Sequence, residues 1–399
     1  MGKRLRLGEF VALIALLFAL IALGIDSMLP ALGNIAADYN LADANRAQLV
    51  ITVFVFGTGI GQLLAGPLSD AYGRKLTLGG GIALFVVASV FSVLTTDFTT
   101  LLISRFIQGL GISAPRSVGI ALVRDIYKGR QMARVMSMAM MIFVVAPAVA
   151  PLLGQSIMLA FGWRMIFVFL ILVSCICFLW LMIRQEETLT DENRRAFKVA
   201  LIIDGYKEVF TNKRVMISML SVSMVYGALF SYLSMVQQIF SIWLDAEARF
   251  PFYFMITAFF GAASNAVNAH YVERYGMWFI SSLAMVGNII AALVFALLII
   301  TNILPDQWLL PAFVIWSSIF FFCNVMCFGN LNSLAMEPVG HIAGLAASII
   351  GSTSTVISVL IAIPVGMMFN GTGLPLIMAT AVLFSVAMFI HIFNPRNVD

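Results

Sequence analysis

Charged residues divide this chain into long apolar stretches. Runs free of Asp, Glu, Lys and Arg cover 10–25, 47–69, 76–96, 135–163, 165–183, 215–244, 250–272, 275–305 and 307–336. Another begins at Phe98 and continues past Arg105, and the last spans 338–395. A helix needs about 20 apolar residues to cross a bilayer, so each run predicts a membrane helix. The last run is long enough for two, and Asn370-Gly371-Thr372-Gly373 within it is a strong turn signal. The pattern predicts an all-α membrane protein with twelve spans. Because the first run is short, span 1 is expected to continue through Asp26 to about Leu32, leaving one acidic residue inside the membrane. That run reads as a span and not as a removable signal peptide.

Composition narrows the class. Of 399 residues, 61% are hydrophobic and 11% charged, and the mean hydropathy is +1.01. Soluble domains carry about 25% charged residues. An ordinary globular enzyme, a disordered chain and a coiled coil are therefore excluded, and a net charge of +4 is no signature of nucleic-acid binding. The sign of the loops is more informative. With the N-terminus inside, 18 of the 23 basic residues fall on cytoplasmic segments and 3 (Arg46, Arg164 and Arg249) outside. The cytoplasmic set includes Lys3, Arg4, Arg74, Lys75 and Arg396, so both termini are expected in the cytoplasm. The connection from Arg184 to Arg214 divides the spans six and six. This predicts an N-terminal half (1–183), a linker (184–214) and a C-terminal half (215–399), with Phe197–Phe210 lying as a surface helix. Asp70-Ala71-Tyr72-Gly73 after span 2 is echoed by Glu273-Arg274-Tyr275-Gly276 after span 8, which fits an internal duplication. Cys175, Cys177, Cys323 and Cys327 lie in apolar runs without disulfide or metal spacing and are expected to be packing residues. No metal or cofactor is expected.

Several motifs occur in order along the chain. Gly66-Pro67-Leu68-Ser69-Asp70-Ala71-Tyr72-Gly73-Arg74-Lys75 follows span 2, Leu101-x-x-x-Arg105-x-x-Gln108-Gly109-x-Gly111 lies in span 4, and Ala146-Pro147-x-x-Ala150-Pro151-x-x-Gly154 lies in span 5. Together they resemble the signatures of the major facilitator superfamily, in the form used by the bicyclomycin/chloramphenicol-resistance drug exporters. Asp26-Ser27-Met28-Leu29-Pro30, Gly162-Trp163-Arg164 and Glu337-Pro338-x-Gly340-His341 point the same way. The basic residue usual at position 71 is Ala here. The resemblance implies two six-helix halves and export of small amphipathic compounds, antibiotics among them, in exchange for protons. It implies a multi-pass protein of a bacterial cytoplasmic membrane, acting as a monomer on a small-molecule substrate, with lipid and protons as its other partners. A proton-coupled exporter or importer of a small metabolite is the alternative. It also implies a gating latch in which Asp70 faces the start of span 11 and Arg74 pairs with Asp125, and an antiporter motif at Pro147, Pro151 and Gly154 that packs span 5 against span 8.

The buried charges supply the candidate chemistry. Asp26, Arg105 and Arg116 are the strongly charged residues well inside spans, and intramembrane charge is costly and commonly functional. Asp26 and Arg105 each lie about 9 Å below an outer helix end at 1.5 Å per residue, so they are expected to pair. Burial favours a neutral carboxyl and a nearby guanidinium favours the ionised one. A carboxyl between these influences can exchange a proton as access changes, which makes Asp26 the expected proton carrier and Arg105 its modulator. Arg116 follows Arg105 by three helical turns and shares its face. Span 10 offers Phe321, Asn324 and Phe328 and span 7 offers Tyr226, Ser231 and Tyr232. With Arg105's neighbour Gln108, these are the expected lining of a substrate cavity. His270, His341 and His391 lie near span ends and are expected to pack there. No catalytic pairing of His or acidic residues recurs within the spans, which argues against a membrane-embedded enzyme.

Overall fold

The computed structural model describes residues 5–190, 192, 194 and 199–394. Lys3, Arg4, Arg195, Phe197, Lys198 and Arg396, which the topology and linker readings used, lie outside the described residues. Every regular element among the described residues is helical. The helices are α1 (Leu7–Asp26), α2 (Leu32–Asp38), α3 (Leu49–Tyr72), α4 (Arg74–Leu94), α5 (Phe98–Ile126), α6 (Gly129–Phe161) and α7 (Arg164–Arg184). They continue with α8 (Val199–Thr211), α9 (Lys213–Gln238), α10 (Phe250–Ile300), α11 (Asp306–Met336), α12 (Ala343–Met367) and α13 (Leu374–Ile392). Ten stretches of the described chain are long and apolar enough to cross a membrane, and two of them, Glu247–Ile300 and Asp306–Met367, are 54 and 62 residues long. Both long stretches are broken internally, one at Gly276 and the other by the 3-10 segment Glu337–Ile342.

The breaks follow from local chemistry. Gly73 between α3 and α4 has φ 100° and ψ 157°, and Gly276 inside α10 has φ 78° and ψ 156°. Both conformations are open to glycine and costly for other residues, so the two echoing loop motifs adopt the same sharp turn. Gly371, with φ 89°, separates α12 from α13 at the expected place. Asp97 caps α5 by accepting from the Thr100 backbone N–H at 2.7 Å and its hydroxyl at 3.0 Å, which holds its carboxyl below the usual range.

Span 1 continues past Asp26, as expected, within the apolar stretch Leu7–Asp38, but it is not one regular helix: α1 stops at Asp26, and a short 3-10 turn (Leu29–Ala31) leads into α2. Pro30 has no N–H to give the Asp26 carbonyl, and the Met28 N–H bonds Ile25 at 3.3 Å. Free carbonyls are therefore left at the end of α1.

The chain forms two compact units. One is Met1–Asn40 with Leu49–Ile203, and the other is Leu41–Gln48 with Asp204–Asp399. In the first, α5 is the central helix. Gly81 on α4 and Gly111 on α5 approach so closely that a Cβ on either would lie 2.6 or 2.5 Å from the other's carbonyl oxygen. Such small-residue contacts pack membrane helices where lipid gives no hydrophobic drive. In the second unit, Tyr232 of α9 is fully buried against Phe313, Trp316, Phe320 and Phe321 of α11. The segment Leu41–Gln48 belongs to this second unit. Gln48 donates to the Gln238 amide oxygen at 2.8 Å and to the Gly366 carbonyl at 3.0 Å, and Gln238 donates to Asn45 at 3.0 Å. The linker helix α8 is docked as well as amphipathic: Gly205 packs on Leu345 and Ile349, and Glu208 meets His341 at 2.7 Å. His341 is thus exposed and in contact with Glu208, whereas His391 is buried and stacked on Trp278. All four cysteines are free.

Candidate functional site

The Arg105 guanidinium reaches the broken end of α1, where Asp26 lies. Asp26 is 6% exposed and Arg105 is fully buried. The Arg105 guanidinium spends its donors on neutral acceptors: Nε on the Val50 carbonyl at 2.9 Å, Nη2 on the Gly24 carbonyl at 2.8 Å and Nη1 on Gln108 Oε1 at 2.5 Å. It also lies over the Phe54 ring, 4.2 Å from the centroid, a favourable cation–π placement. The Gly24 carbonyl is free because Met28 turns to Ile25, and a helix C-terminus favours a cation.

The expected Asp26–Arg105 ion pair is therefore not formed. Among the described residues, Asp26 makes no ion pair and its carboxyl accepts no hydrogen bond. It sits two residues beyond the carbonyl that holds the guanidinium. The site thus has a buried cation satisfied by neutral acceptors and, two residues along α1 from one of them, a buried carboxyl without a partner. Burying a charged carboxyl without a partner is expensive.

The antiporter motif touches the same place. Gly154 of α6 packs against the carbonyl of Ser27, so closely that a Cβ there would collide with it. Ser27 in turn bonds the Leu23 carbonyl through its hydroxyl at 2.5 Å. Pro151 is buried and Pro147 half-buried on the same helix. Gly154 therefore lets α6 close on the chain immediately after Asp26, a link between two motifs that their separate positions in the sequence do not disclose.

The loop between α3 and α4 is a charge cluster. Arg74, buried, donates from Nη1 to Asp70 at 2.6 Å and to the Ser69 hydroxyl at 2.8 Å, and from Nε to Asp125 at 2.9 Å. Gly66 and Pro67 lie one helical turn upstream in α3. Two further members come from beyond α7. Glu187 accepts from the backbone N–H groups of Arg74 and Lys75, both at 3.0 Å, and Thr188 donates to Asp125 at 3.1 Å. A carboxylate on the first amides of α4 satisfies orphan donors and complements the helix dipole. Sequence reasoning missed Glu187 because it lies over a hundred residues away. It also gave Gly73 only one reason, the turn. A Cβ there would sit 2.6 Å from Glu187 Oε2, so the carboxylate needs the missing side chain too.

The expected cavity residues separate into two groups. Gln108 is fully buried and bridges Arg105 to Ser92. Ser231 bonds the Gly227 carbonyl, Asn324 bonds the Val225 carbonyl, and Tyr232 and Phe321 sit in the aromatic core. These five are buried and make these contacts within their own units. Arg116 is half-buried with no ion pair or hydrogen bond among the described residues, and Tyr226 stacks on Phe328 at 4.4 Å, both also half-buried. No metal-binding group of His, Cys, Asp and Glu occurs among the described residues.

The chain is similar to known transporters along most of its length. It is 28% identical over 396 residues to a bicyclomycin resistance protein homolog of Haemophilus influenzae, covering 97% of this chain and 96% of that one. It is 28% identical over 375 residues to the multidrug resistance protein MdtM of Escherichia coli O157:H7, covering 92% and 88%. Its fold matches the crystal structure of a D-xylose-proton symporter with a TM-score of 0.75 at 16% identity, covering 97% of each chain. Residues 14–363 match the sequence profile of the Major Facilitator Superfamily, and the chain, a membrane transporter and not an enzyme, belongs to that superfamily.

Proposed function

We propose that this transporter is a proton-coupled exporter of small amphipathic compounds, antibiotics among them, across a bacterial cytoplasmic membrane. In this reading the chain crosses twelve times with both termini in the cytoplasm. The count takes the two long stretches as two spans each and the broken α1–α2 stretch as one. The names of the two drug-resistance relatives support the substrate class. One observation carries the coupling: Asp26 is a buried carboxyl without an ion pair, beside a cation held on carbonyls.

The cycle follows from that geometry. Open to the acidic outside, Asp26 takes a proton. Open to the cytoplasm, it releases the proton as substrate arrives. The Arg105 charge nearby eases release without a permanent salt bridge that would trap the ionised form. Arg116, Tyr226 and Phe328 are the candidates for substrate contact. A guanidinium with free donors suits carbonyl, hydroxyl or anionic groups, and two intramembrane cations against one carboxyl disfavour dedicated recognition of lipophilic cations. Asp70, Arg74, Asp125 and Glu187 form the gating latch. A drug-susceptibility panel of cells expressing the wild type and Asp26→Asn tests the reading. Resistance that depends on Asp26 supports it, and full resistance conferred by Asp26→Asn contradicts it.

A further inference from the structure

The hydrogen bonds around Arg105 have a fixed direction. Arginine can only donate, so the Gln108 atom that faces Nη1 at 2.5 Å is its carbonyl oxygen. The Gln108 amide nitrogen must then point the other way, where it meets Ser92 Oγ at 2.9 Å. Ser92 is obliged to accept, and its own proton goes to the Ala88 carbonyl at 3.2 Å or to Ser104 Oγ at 2.7 Å. Ser104 in turn has the Leu101 carbonyl at 2.7 Å. All four side chains are at most 3% exposed, so bulk solvent does not reach them. Ser92 lies on α4, a helix that carries none of the intramembrane charges.

We propose that Ser92 is a positioning residue of the coupling site: through Gln108 it holds the Arg105 guanidinium on the Gly24 and Val50 carbonyls and away from the Asp26 carboxyl. The inference rests on the coupling role proposed for Asp26. Without the Ser92 hydroxyl, the Gln108 amide nitrogen is an unpaired buried donor, and rotation to find another acceptor withdraws its oxygen from Nη1. Arg105 then has a free donor at the end of α1 that carries Asp26, the one buried carboxyl among the described residues. Apart from Arg116, the described residues of the elements packed around this site offer no other charge between the span ends. Glu9 on α1, Asp70 on α3, Arg74 and Lys75 on α4, Arg124 and Asp125 on α5, Arg130 and Arg134 on α6, and Arg164 and Arg184 on α7 all lie at helix ends. That leaves Arg116 on α5, and Cys175 and Cys177 on α7, as the further ionisable side chains.

Protonation of Asp26 can be read without a substrate. Infrared difference spectroscopy of the purified full-length protein follows the carbonyl stretch of the protonated carboxyl as pH is varied, with the Asp26 band assigned by its loss in Asp26→Asn. Ser92→Ala should move the midpoint of that band to lower pH by about half a unit or more, because a closer guanidinium favours the ionised form. Ser92→Thr keeps the hydroxyl and should titrate as the wild type. Gln108→Leu should move the midpoint in the same direction, and adding Ser92→Ala to it should move it no further. A wild-type midpoint in Ser92→Ala overturns the proposal. So does a Ser92→Ala shift that persists undiminished in the Gln108→Leu background, or an Asp26→Asn spectrum that loses no band. The coupling reading fails on different grounds, namely uphill export by Asp26→Asn, and that result leaves the infrared midpoints unchanged.

Discussion

Arg105 donates to the carbonyl of Gly24 at 2.8 Å, two residues short of the Asp26 carboxyl. A cation is thereby brought to the broken end of α1 while the carboxyl stays unpaired. The main-chain grip explains how a guanidinium can be fully buried with no anion beside it: three neutral acceptors and an aromatic face replace its water.

Arg105→Lys should be far from conservative. An ammonium cannot reach Val50, Gly24 and Gln108 from one planar fork. The variant leaves buried acceptors unpaired at about 1–3 kcal/mol each, so transport should fall at least tenfold and thermal stability should drop. Arg105→Ala removes the positive charge as well and should move the pH optimum of transport upward, since Asp26 then holds its proton to higher pH. Transport measured across a pH series checks the sign; an unchanged or lowered optimum would remove Arg105 from the coupling scheme.

Gly154→Ala tests the contact between the antiporter motif and α1. The added methyl collides with the Ser27 carbonyl, and overpacking of this kind costs about 1–3 kcal/mol. Export should fall severalfold while the protein still reaches the membrane. Because the strain falls next to Asp26, proton-driven export should suffer more than substrate binding. Equal losses in both would place Gly154 in packing alone.

Glu187→Gln separates the linker carboxylate from its charge. The amide oxygen still reaches one N–H of α4, but the anion at the helix N-terminus is gone. Export should slow about as much as in Asp70→Asn, and the double variant should be little worse than either single one, since both belong to one cluster. Gly73→Val should be worse than all of these, because it meets both a positive φ and the Glu187 carboxylate. Rates in membrane vesicles decide the order.

Asp97 provides a pH test outside the membrane spans. Its bonds from Thr100 lower its folded value. A lowered carboxyl contributes stability above its unfolded value, about 3.9 for Asp, and loses that contribution as pH falls through the folded one. The melting temperature of the wild type should therefore exceed that of Asp97→Ala by a constant margin near neutral pH, and the margin should close in acid. A margin that stays open in acid would assign the cap some other source.

Much of this was legible in the sequence, for identifiable reasons. Charge-free runs give helices because the bilayer penalises anything else, and Gly73 and Gly276 announce turns because few other residues adopt their conformation. Asp26 and Arg105 stand out because buried charges are rare. Their partners do not. Arg105 binds main-chain carbonyls, which have no letter in the sequence, and the one at Gly24 is open because α1 ends there, a break that a count of apolar residues overlooks. Glu187 is brought to Arg74 by tertiary folding alone. Tyr232 and Asn324 turn into their own unit because a helix apolar on every side gives no sign of which face packs.

The coupling claim is tested most directly by counting protons against substrate in everted membrane vesicles energised to acidify their interior. When a drug from the susceptibility panel is added, the wild type should release protons and concentrate the drug inside. Asp26→Asn should bind the drug and equilibrate it down its gradient, without proton release and without accumulation. Accumulation by Asp26→Asn at the wild-type rate, with protons released, would contradict the account.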